Sequence, residues 1–104
     1  MNTEIILVVQ LFIHVGREVE FQQFEMEAAR IMQKYGGRIV KVIRPIGSGQ
    51  DPVLPHEVHL VSFPSMEQFE LYRNDSDLVK LADLRQSAIA RTEIVIGQEG
   101  KPYL

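Results

Sequence analysis

The chain has 104 residues, of which 45% are hydrophobic, a formal net charge of -3 and no cysteine. This length and composition predict one globular domain over residues 1–104. Interspersed acids and bases argue against a basic face for nucleic acid, and the lack of cysteine excludes disulfides and zinc–thiolate sites. No apolar run reaches the roughly 20 residues that a membrane span needs, and no signal-peptide pattern opens the sequence, so we expect a cytoplasmic protein without a membrane partner.

The first half of the chain predicts a strand, a helix and two further strands. The near-continuous aliphatic run from Glu4 to His14 is typical of a central strand that is covered on both faces. Apolar residues at spacings of three and four then indicate a helix from about Arg17 to Tyr35. Strands over Arg38–Arg44 and His56–Phe63 follow. We expect the long connection between them, Pro45–Pro55, to pack against a partner subunit or over the mouth of a cleft.

The second half predicts two shorter helices and a last strand. Ser65 and Gln68 have the spacing of a capping box, which begins one helix, and Asp75 or Ser76 caps the next. A strand over Thr92–Ile96 precedes a polar tail. The whole order, βαββαβ, is the split βαβ or ferredoxin-like motif. It predicts an α+β fold with a four-stranded antiparallel sheet, in which the first and third strands are central.

Strand alternation divides this sheet into two faces, both of which are largely apolar. We assign to the face under the helices Ile5, Leu7, Val9, Leu11, Val40, Val42, Val58, Leu60, Ile94 and Ile96. The apolar residues that fall on the open face are then Ile6, Val8, Phe12, Ile39, Ile43, Val61, Phe63 and Val95. An exposed apolar face of this size exceeds what soluble monomers usually tolerate. It therefore predicts a homodimer in which the open faces of two sheets pack together.

Polar residues on the predicted open face form the candidate site. They are Gln10, His14, Lys41, Glu57, His59 and Glu93. Because imidazole titrates near neutral pH, His59 with Glu57 or Glu93 is a candidate general acid–base pair, and Gln10 is a candidate orienting group. The alternative is that the charged members lie at the rim of the barrel, as solvated charges or as pairs between subunits.

Two other sets of residues carry groups that could bind a metal or a substrate. His56 and His59 point to opposite faces of a strand, and His14 and His59 have no third ligand, so we predict no metal site. Arg85 falls on the apolar stripe of its helix. Two roles are open for it: an ion pair with an acid such as Asp75, or substrate binding.

Short motifs spread along the chain are similar to those of a known family. In chain order they are Phe21-x-x-Phe24-Glu25, Lys34-Tyr35-Gly36-Gly37-Arg38, Pro55-x-Glu57, Val61-Ser62-Phe63-Pro64-Ser65, Tyr72-Arg73 and Leu84-Arg85 with Ala88. Together they resemble the dimeric α+β-barrel superfamily, and most of all its uncharacterised branch, the domain of unknown function numbered thirteen-thirty. The chain departs from that branch at Leu78-Val79, where the branch often has an aromatic residue.

The resemblance implies the dimeric ferredoxin-like fold but no single activity. Relatives in the superfamily include cofactor-independent monooxygenases, muconolactone isomerase and haem proteins resembling chlorite dismutase, and one fold often hosts several chemistries.

Two functions follow as hypotheses, and the sequence does not decide whether the protein is an enzyme. The first is a cofactor-independent enzyme that acts on a small hydrophobic molecule in the cleft between sheet and helices. It assigns catalysis to His59 and substrate binding to Gln10, His14, Glu57 and Arg85. The second is a non-catalytic ligand-binding or interaction domain. The number of polar groups that converge on one enclosed cavity discriminates the two.

Overall fold

The computed structural model describes residues 2–104 and arranges them as a four-stranded antiparallel sheet with helices on one face. In chain order the elements are β1 (Ile5–Ile13), α1 (Glu18–Gln33), β2 (Arg38–Ile43), β3 (Glu57–Phe63), α2 (Met66–Arg73), α3 (Ser76–Val79), α4 (Ala82–Ala88) and β4 (Ile89–Gly97). The strand order is β2-β3-β1-β4, so β1 and β3 are central, as the sequence predicts. This is the ferredoxin-like α+β arrangement.

The last strand is longer than its sequence pattern suggests. β4 begins at Ile89, directly after α4, rather than at Thr92. Ile89 pairs with Ile13 across an irregularity in the β1–β4 ladder, and it is buried in a core cluster with residues of α1. An apolar side chain at this position suits the inner face of a helix and the inner face of a strand equally well. The backbone pairing with β1 decides between them.

The face assignment made from the sequence is wrong for β3. Directly paired residues of an antiparallel ladder lie on the same face of the sheet. Val9 pairs with His59 and Leu7 pairs with Val61, so the odd-numbered residues of β3 lie under the helices. Val58 and Leu60 lie on the open face instead. Both faces of β3 carry apolar residues, so alternation alone does not distinguish them; Phe63 fills the core beside Gly37, which fixes the choice.

A β-bulge in β2 produces a second, smaller correction. The β2–β3 register shifts between Ile39 and Lys41, which leaves Val40 as the extra residue. Ile39, paired with Val61, therefore lies under the helices rather than on the open face. Val42 also lies on the helix side, as predicted, because it pairs with His59.

The two faces of the sheet are named here by their residues. The helix-side face consists of Ile5, Leu7, Val9, Leu11, Ile39, Val42, Glu57, His59, Val61, Phe63, Thr92, Ile94 and Ile96. The open face consists of Ile6, Val8, Gln10, Phe12, Lys41, Ile43, Val58, Leu60, Ser62, Glu93 and Val95. Both central strands thus have two apolar faces, as the sequence predicts. His59 and Glu57, however, lie on the helix-side face rather than on the open face.

Asp75 joins the end of α1 to the start of α3. Its carboxylate accepts a 2.6 Å hydrogen bond from the Tyr35 hydroxyl and caps α3 through two backbone N–H groups. The Tyr35 hydrogen bond, the capping N–H groups and the charge of Lys34 together hold the pKa of Asp75 below its usual value, against the opposing effect of burial. The expected ion pair of Asp75 with Arg85 is wrong, because Arg85 donates to the hydroxyl of Thr92 instead.

The connection from Pro45 to Pro55 folds back onto its own chain. It is fixed at its base by hydrogen bonds from the Ser48 hydroxyl to backbone carbonyls and from the His56 N–H to the Leu11 carbonyl, the latter at 2.7 Å. With residues 12–18 it lines a cavity of about 490 Å³ at one end of the sheet. It does not line the cavity between sheet and helices, so its predicted position over that cleft is wrong. Its predicted contact with a partner subunit stays a prediction.

The longest helix, α1, has 16 residues, and no helix within residues 2–104 is both long and apolar enough to cross a membrane.

The turn from α1 into β2 leaves no space for a side chain at Gly37. A Cβ atom there would overlap with the side chains of Met32 and Phe63. The preceding Gly36 has φ +72°, and a Cβ on it would lie 2.7 Å from Cγ of Pro64. The Gly-Gly pair is therefore required for α1 to approach the sheet this closely.

We predict that Gly37→Ala lowers the free energy of unfolding by about 1–3 kcal/mol, the usual cost of overpacking a core. Gly100→Ala is the matched control, because a Cβ at Gly100 meets no atom within 4 Å. Urea denaturation followed by circular dichroism measures both variants. Equal stability of the two would show that the turn relaxes freely, contrary to this prediction.

Candidate functional site

A cavity of about 510 Å³, the helix-side cavity, lies between the sheet and the helices. Its floor is the helix-side face of the sheet, and its roof is formed by side chains of all four helices. The lining is mainly aliphatic and aromatic. The residues with polar groups in it are Glu25, His59, Tyr72, Arg73, Arg85 and Thr92. An apolar cavity with a few convergent polar groups is the usual form of a small-molecule site.

The cavity has a closed end and an open end. At the closed end, Leu7 and Phe63 are 2% and 1% exposed. At the other end the lining residues Val79 and Ile94 are 59% and 49% exposed, and Arg85 is exposed as well. The entrance therefore lies between the α3–α4 segment and the edge strand β4.

His59 is held in the cavity wall by a carboxylate behind it. The imidazole is 4% exposed, and its Nε2 lies 2.8 Å from Oε1 of Glu57, which is itself buried. The other oxygen of Glu57 accepts a 2.9 Å hydrogen bond from Nε of Arg44. A carboxylate paired with a guanidinium only accepts hydrogen bonds, so we assign the proton to Nε2 of His59. The lone pair of Nδ1 then points away from Glu57.

Glu25 faces the free nitrogen of His59 from α1. Its Oε2 lies 3.7 Å from Nδ1 of the imidazole. Burial raises the pKa of Glu25, and the charge of Glu57 adds to this, while His59 and Arg85 oppose it. A carboxyl group with a raised pKa keeps its proton to higher pH, so Glu25 and the imidazole are suited to exchange protons with a molecule that lies beside both of them.

Tyr72 and Arg85 complete the polar groups of the cavity. Burial, with a smaller effect from the charge of Glu25, raises the pKa of Tyr72 to about 12, so its hydroxyl stays a hydrogen-bond donor at neutral pH. Nη2 of Arg85 donates a 3.0 Å hydrogen bond to Oγ1 of Thr92 on β4. The guanidinium thus connects α4 to the sheet beside the entrance.

The structure brings together three of the five predicted site residues. His59 and Arg85 line the helix-side cavity, and Glu57 supports His59 from behind. Gln10 lies on the open face between Val58 and Glu93, so its predicted convergence with His59 is wrong. His14 is exposed beyond the end of β1 and does not line this cavity.

Sequence reasoning missed Glu25 and Tyr72. Glu25 is four residues after Phe21 and three before Ala28, both of which are buried on the inner stripe of α1. A carboxylate at that position of an apolar stripe is a signal, because side chains three and four residues apart share one face of a helix. Tyr72 is part of the Tyr72-Arg73 motif in the sequence, and its pattern there gives no sign of a cavity-facing hydroxyl.

Within residues 2–104 no group of three or more histidine and acidic side chains is arranged to hold a metal ion.

Comparison with known proteins identifies a family without a described activity. The family model described as Domain of unknown function (DUF1330) matches residues 6–98, most of the chain. No curated protein matches the chain. The family match confirms the resemblance inferred from the sequence motifs.

Solved structures with the same fold have low sequence identity to this chain. A protein of unknown function from Rhodopseudomonas palustris superposes with a TM-score of 0.81 at 14% identity, over 98% of this chain and 86% of that one. SnoaB, a cofactor-independent oxygenase from Streptomyces nogalater, gives a TM-score of 0.73 at 14% identity, over 97% of each chain. A dabb family protein with a ferredoxin-like fold from Mesorhizobium loti gives 0.66 at 17%, over 94% of this chain and 98% of that one. These similarities confirm the ferredoxin-like fold.

We predict that Glu25→Gln raises the melting temperature at neutral pH. Because the pKa of Glu25 is raised in the native state, the folded protein binds this proton more tightly than the unfolded chain does. The stability that this proton contributes is complete below the ordinary carboxyl value of 4.5 and is lost as the pH rises through the raised pKa. Glutamine resembles the protonated acid at every pH, so the advantage of the variant should shrink as the pH falls toward 4.5.

Thermal unfolding of the wild type and the variant across this pH range measures the effect. Glu27→Gln on the same helix is the control, since Glu27 forms a surface ion pair with Arg30. A melting temperature that is unchanged or lower in Glu25→Gln at neutral pH would show that the pairing with His59 outweighs burial.

Proposed function

We infer the function of this chain, which belongs to the DUF1330 family, from the geometry of its helix-side cavity. We propose that it is a cofactor-independent enzyme that moves a proton on a small hydrophobic molecule. The observation that carries this proposal is the orientation of His59, whose Nε2 is hydrogen-bonded to Glu57 and whose Nδ1 lies 3.7 Å from Glu25, another residue of the cavity lining. The mainly apolar lining favours proton transfer to and from the bound molecule over exchange with water.

In the proposed reaction His59 acts as the general base. Nδ1 removes a proton from the bound molecule, and the Glu57 carboxylate stabilises the imidazolium that forms. Arg44 keeps that carboxylate in place from the surface side, through its 2.9 Å hydrogen bond. Glu25, whose pKa is raised by burial, returns a proton to the molecule at another atom. The proton now on Nδ1 of His59 then passes to the Glu25 carboxylate, 3.7 Å away, which restores both residues. The net change in the bound molecule is a shift of one proton, so no oxidant enters the balance.

The known structure that supports an enzymatic role is SnoaB, because it has the same fold and is a cofactor-independent oxygenase. The shared fold supports the proposal that this chain catalyses a reaction without a cofactor. The reaction itself is proposed from the residues of this chain. The alternative, a non-catalytic binding protein, uses the same cavity and differs only in the absence of turnover.

A general-base probe tests the proposal directly. A base opens nitrobenzisoxazole by removing its ring C–H proton as the N–O bond breaks, and the product is a coloured cyanonitrophenolate. We predict that the wild type accelerates this opening beyond the same concentration of free imidazole. His59→Gln should remove most of that acceleration, by about a hundredfold if the histidine is the base. Glu27→Gln, outside the cavity, should retain it.

Two results would count against catalysis. One is a wild-type rate no greater than that of imidazole. The other is an equal loss of rate in His59→Gln and Glu27→Gln. Fluorescence quenching by the probe without any ring opening would instead favour the non-catalytic binding role.

We further propose that the protein is a homodimer that buries the open face. In one chain the apolar side chains of this face are half-buried in the middle of the sheet and exposed at its edges, where Ile43 and Val95 are 44% and 65% exposed. Removing that apolar area from water by packing two sheets together is the simplest source of stability for a dimer. The helix-side cavities then lie on the two outer sides of the dimer.

We predict that Leu60→Glu converts the dimer to a monomer, since a carboxylate at the centre of the open face would be buried without a partner. Light scattering after size exclusion should give twice the 11.9 kDa of one chain for the wild type and a single chain for the variant. Met26→Glu is the control, because Met26 is exposed on α1. A monomeric wild type at micromolar concentration contradicts the dimer.

A further inference from the structure

Arg85 is a cation at the cavity entrance without a carboxylate of its own. The other arginine in the cavity lining, Arg73, pairs with Glu70 at 3.2 Å, and Arg44 pairs with Glu57. No ion pair of Arg85 occurs within residues 2–104.

The guanidinium of Arg85 is held in place by a neutral group. Its hydrogen bond to the Thr92 hydroxyl, at 3.0 Å, uses one of five N–H donors and fixes the side chain across the entrance from α4 to β4. The fork of the guanidinium is suited to bind two oxygens of a planar anion at once. The position of the guanidinium is therefore fixed, and its positive charge is available to an anionic group of a ligand.

The carboxyl groups next to His59, Glu25 in the lining and Glu57 behind the imidazole, are less exposed than Arg85. Glu25 and Glu57 flank His59 in the wall, whereas Arg85 is exposed beside the open end. An anion placed next to His59 would meet these two carboxyl groups. At the entrance the same anion would meet a fixed cation.

We propose that the natural ligand is a small hydrophobic carboxylate, bound with its carboxylate on Arg85 at the entrance and its apolar body over the aliphatic floor of the cavity. This inference rests on the proposed function and names its substrate class. The end of the ligand remote from the carboxylate then lies toward His59, which is where a proton would be moved. The apolar floor is formed by Leu7, Val9, Leu11, Ile94 and Ile96.

Two ligands of nearly equal shape test this class. Naphthoate carries a carboxylate on an apolar double ring, and naphthamide replaces the carboxylate with a neutral amide. We expect the wild type to bind naphthoate at least tenfold more tightly than naphthamide in isothermal titration calorimetry at low salt. The preference should fall as the ionic strength rises, because the entrance is exposed and salt screens exposed charges.

Substitution of Arg85 assigns the preference to this residue. In Arg85→Gln the two ligands should bind within about twofold of each other, with the affinity for naphthamide unchanged. Arg85→Lys should restore part of the preference, because lysine keeps the charge but lacks the planar fork. Arg30→Gln, which removes an exposed arginine of α1 that pairs with Glu27, should bind both ligands as the wild type does.

The outcomes separate this inference from the proposed function. Equal binding of the two ligands by the wild type, or a preference that survives in Arg85→Gln, overturns the carboxylate inference while leaving the ring opening of nitrobenzisoxazole intact. Failure of the wild type to bind either ligand overturns it too. If ring opening is absent but naphthoate is preferred through Arg85, the ligand class stands and the catalytic role is lost.

Discussion

The pairing of β1 with β3 determines where the candidate site of this protein lies. The partner of Val9 is His59, and the whole helix-side face follows from that single register. Because side chains alternate along a strand, a shift of one residue would carry His59 and Glu57 to the open face and bring Val58 and Leu60 under the helices. The histidine would then lie in the proposed subunit interface, with no cavity, no contact with Glu25 and no path to an entrance beside Arg85.

Burial of several charged groups in so small a core requires that they support one another. Arg44, Glu57, His59 and Glu25 follow one another from the surface to the cavity, so each buried group faces a neighbour of complementary character. Removing one member of such a series leaves a buried charge without a partner. The loss of folding free energy is then larger than the stabilisation that the intact series provides. Glu25 is the least compensated member, as its raised pKa indicates. Buried ionisable groups with a shifted pKa are concentrated at functional sites, where a loss of stability accompanies a gain in reactivity.

Sequence reasoning recovered the parts of the structure that depend on local pattern. The order of strands, the caps at Ser65 and Asp75 and the central position of β1 and β3 all follow from periodicity and turn chemistry. The single helix predicted after Asp75 is instead divided into α3 and α4. The faces of β2 and β3 do not follow from such patterns, because one strand contains a bulge and the other is apolar on both sides. The spacing of His59 and Glu57 along β3 is enough to predict that they form a pair. The side of the sheet on which they lie depends on tertiary register, so the sequence pattern predicts that side wrongly.

The uneven construction of the cavity wall would govern the residence time of the proposed ligand. At one end the backbone of Gly37 is packed against Met32 and Phe63, and nothing there can move without disturbing the core. At the other end the wall consists of α3 and α4, with four and seven residues. Helices this short have few internal hydrogen bonds and open locally at low cost. The residence time of the proposed ligand would therefore depend on this segment. Two proteins with identical groups around His59 would release the same ligand at different rates if their α3–α4 segments differ.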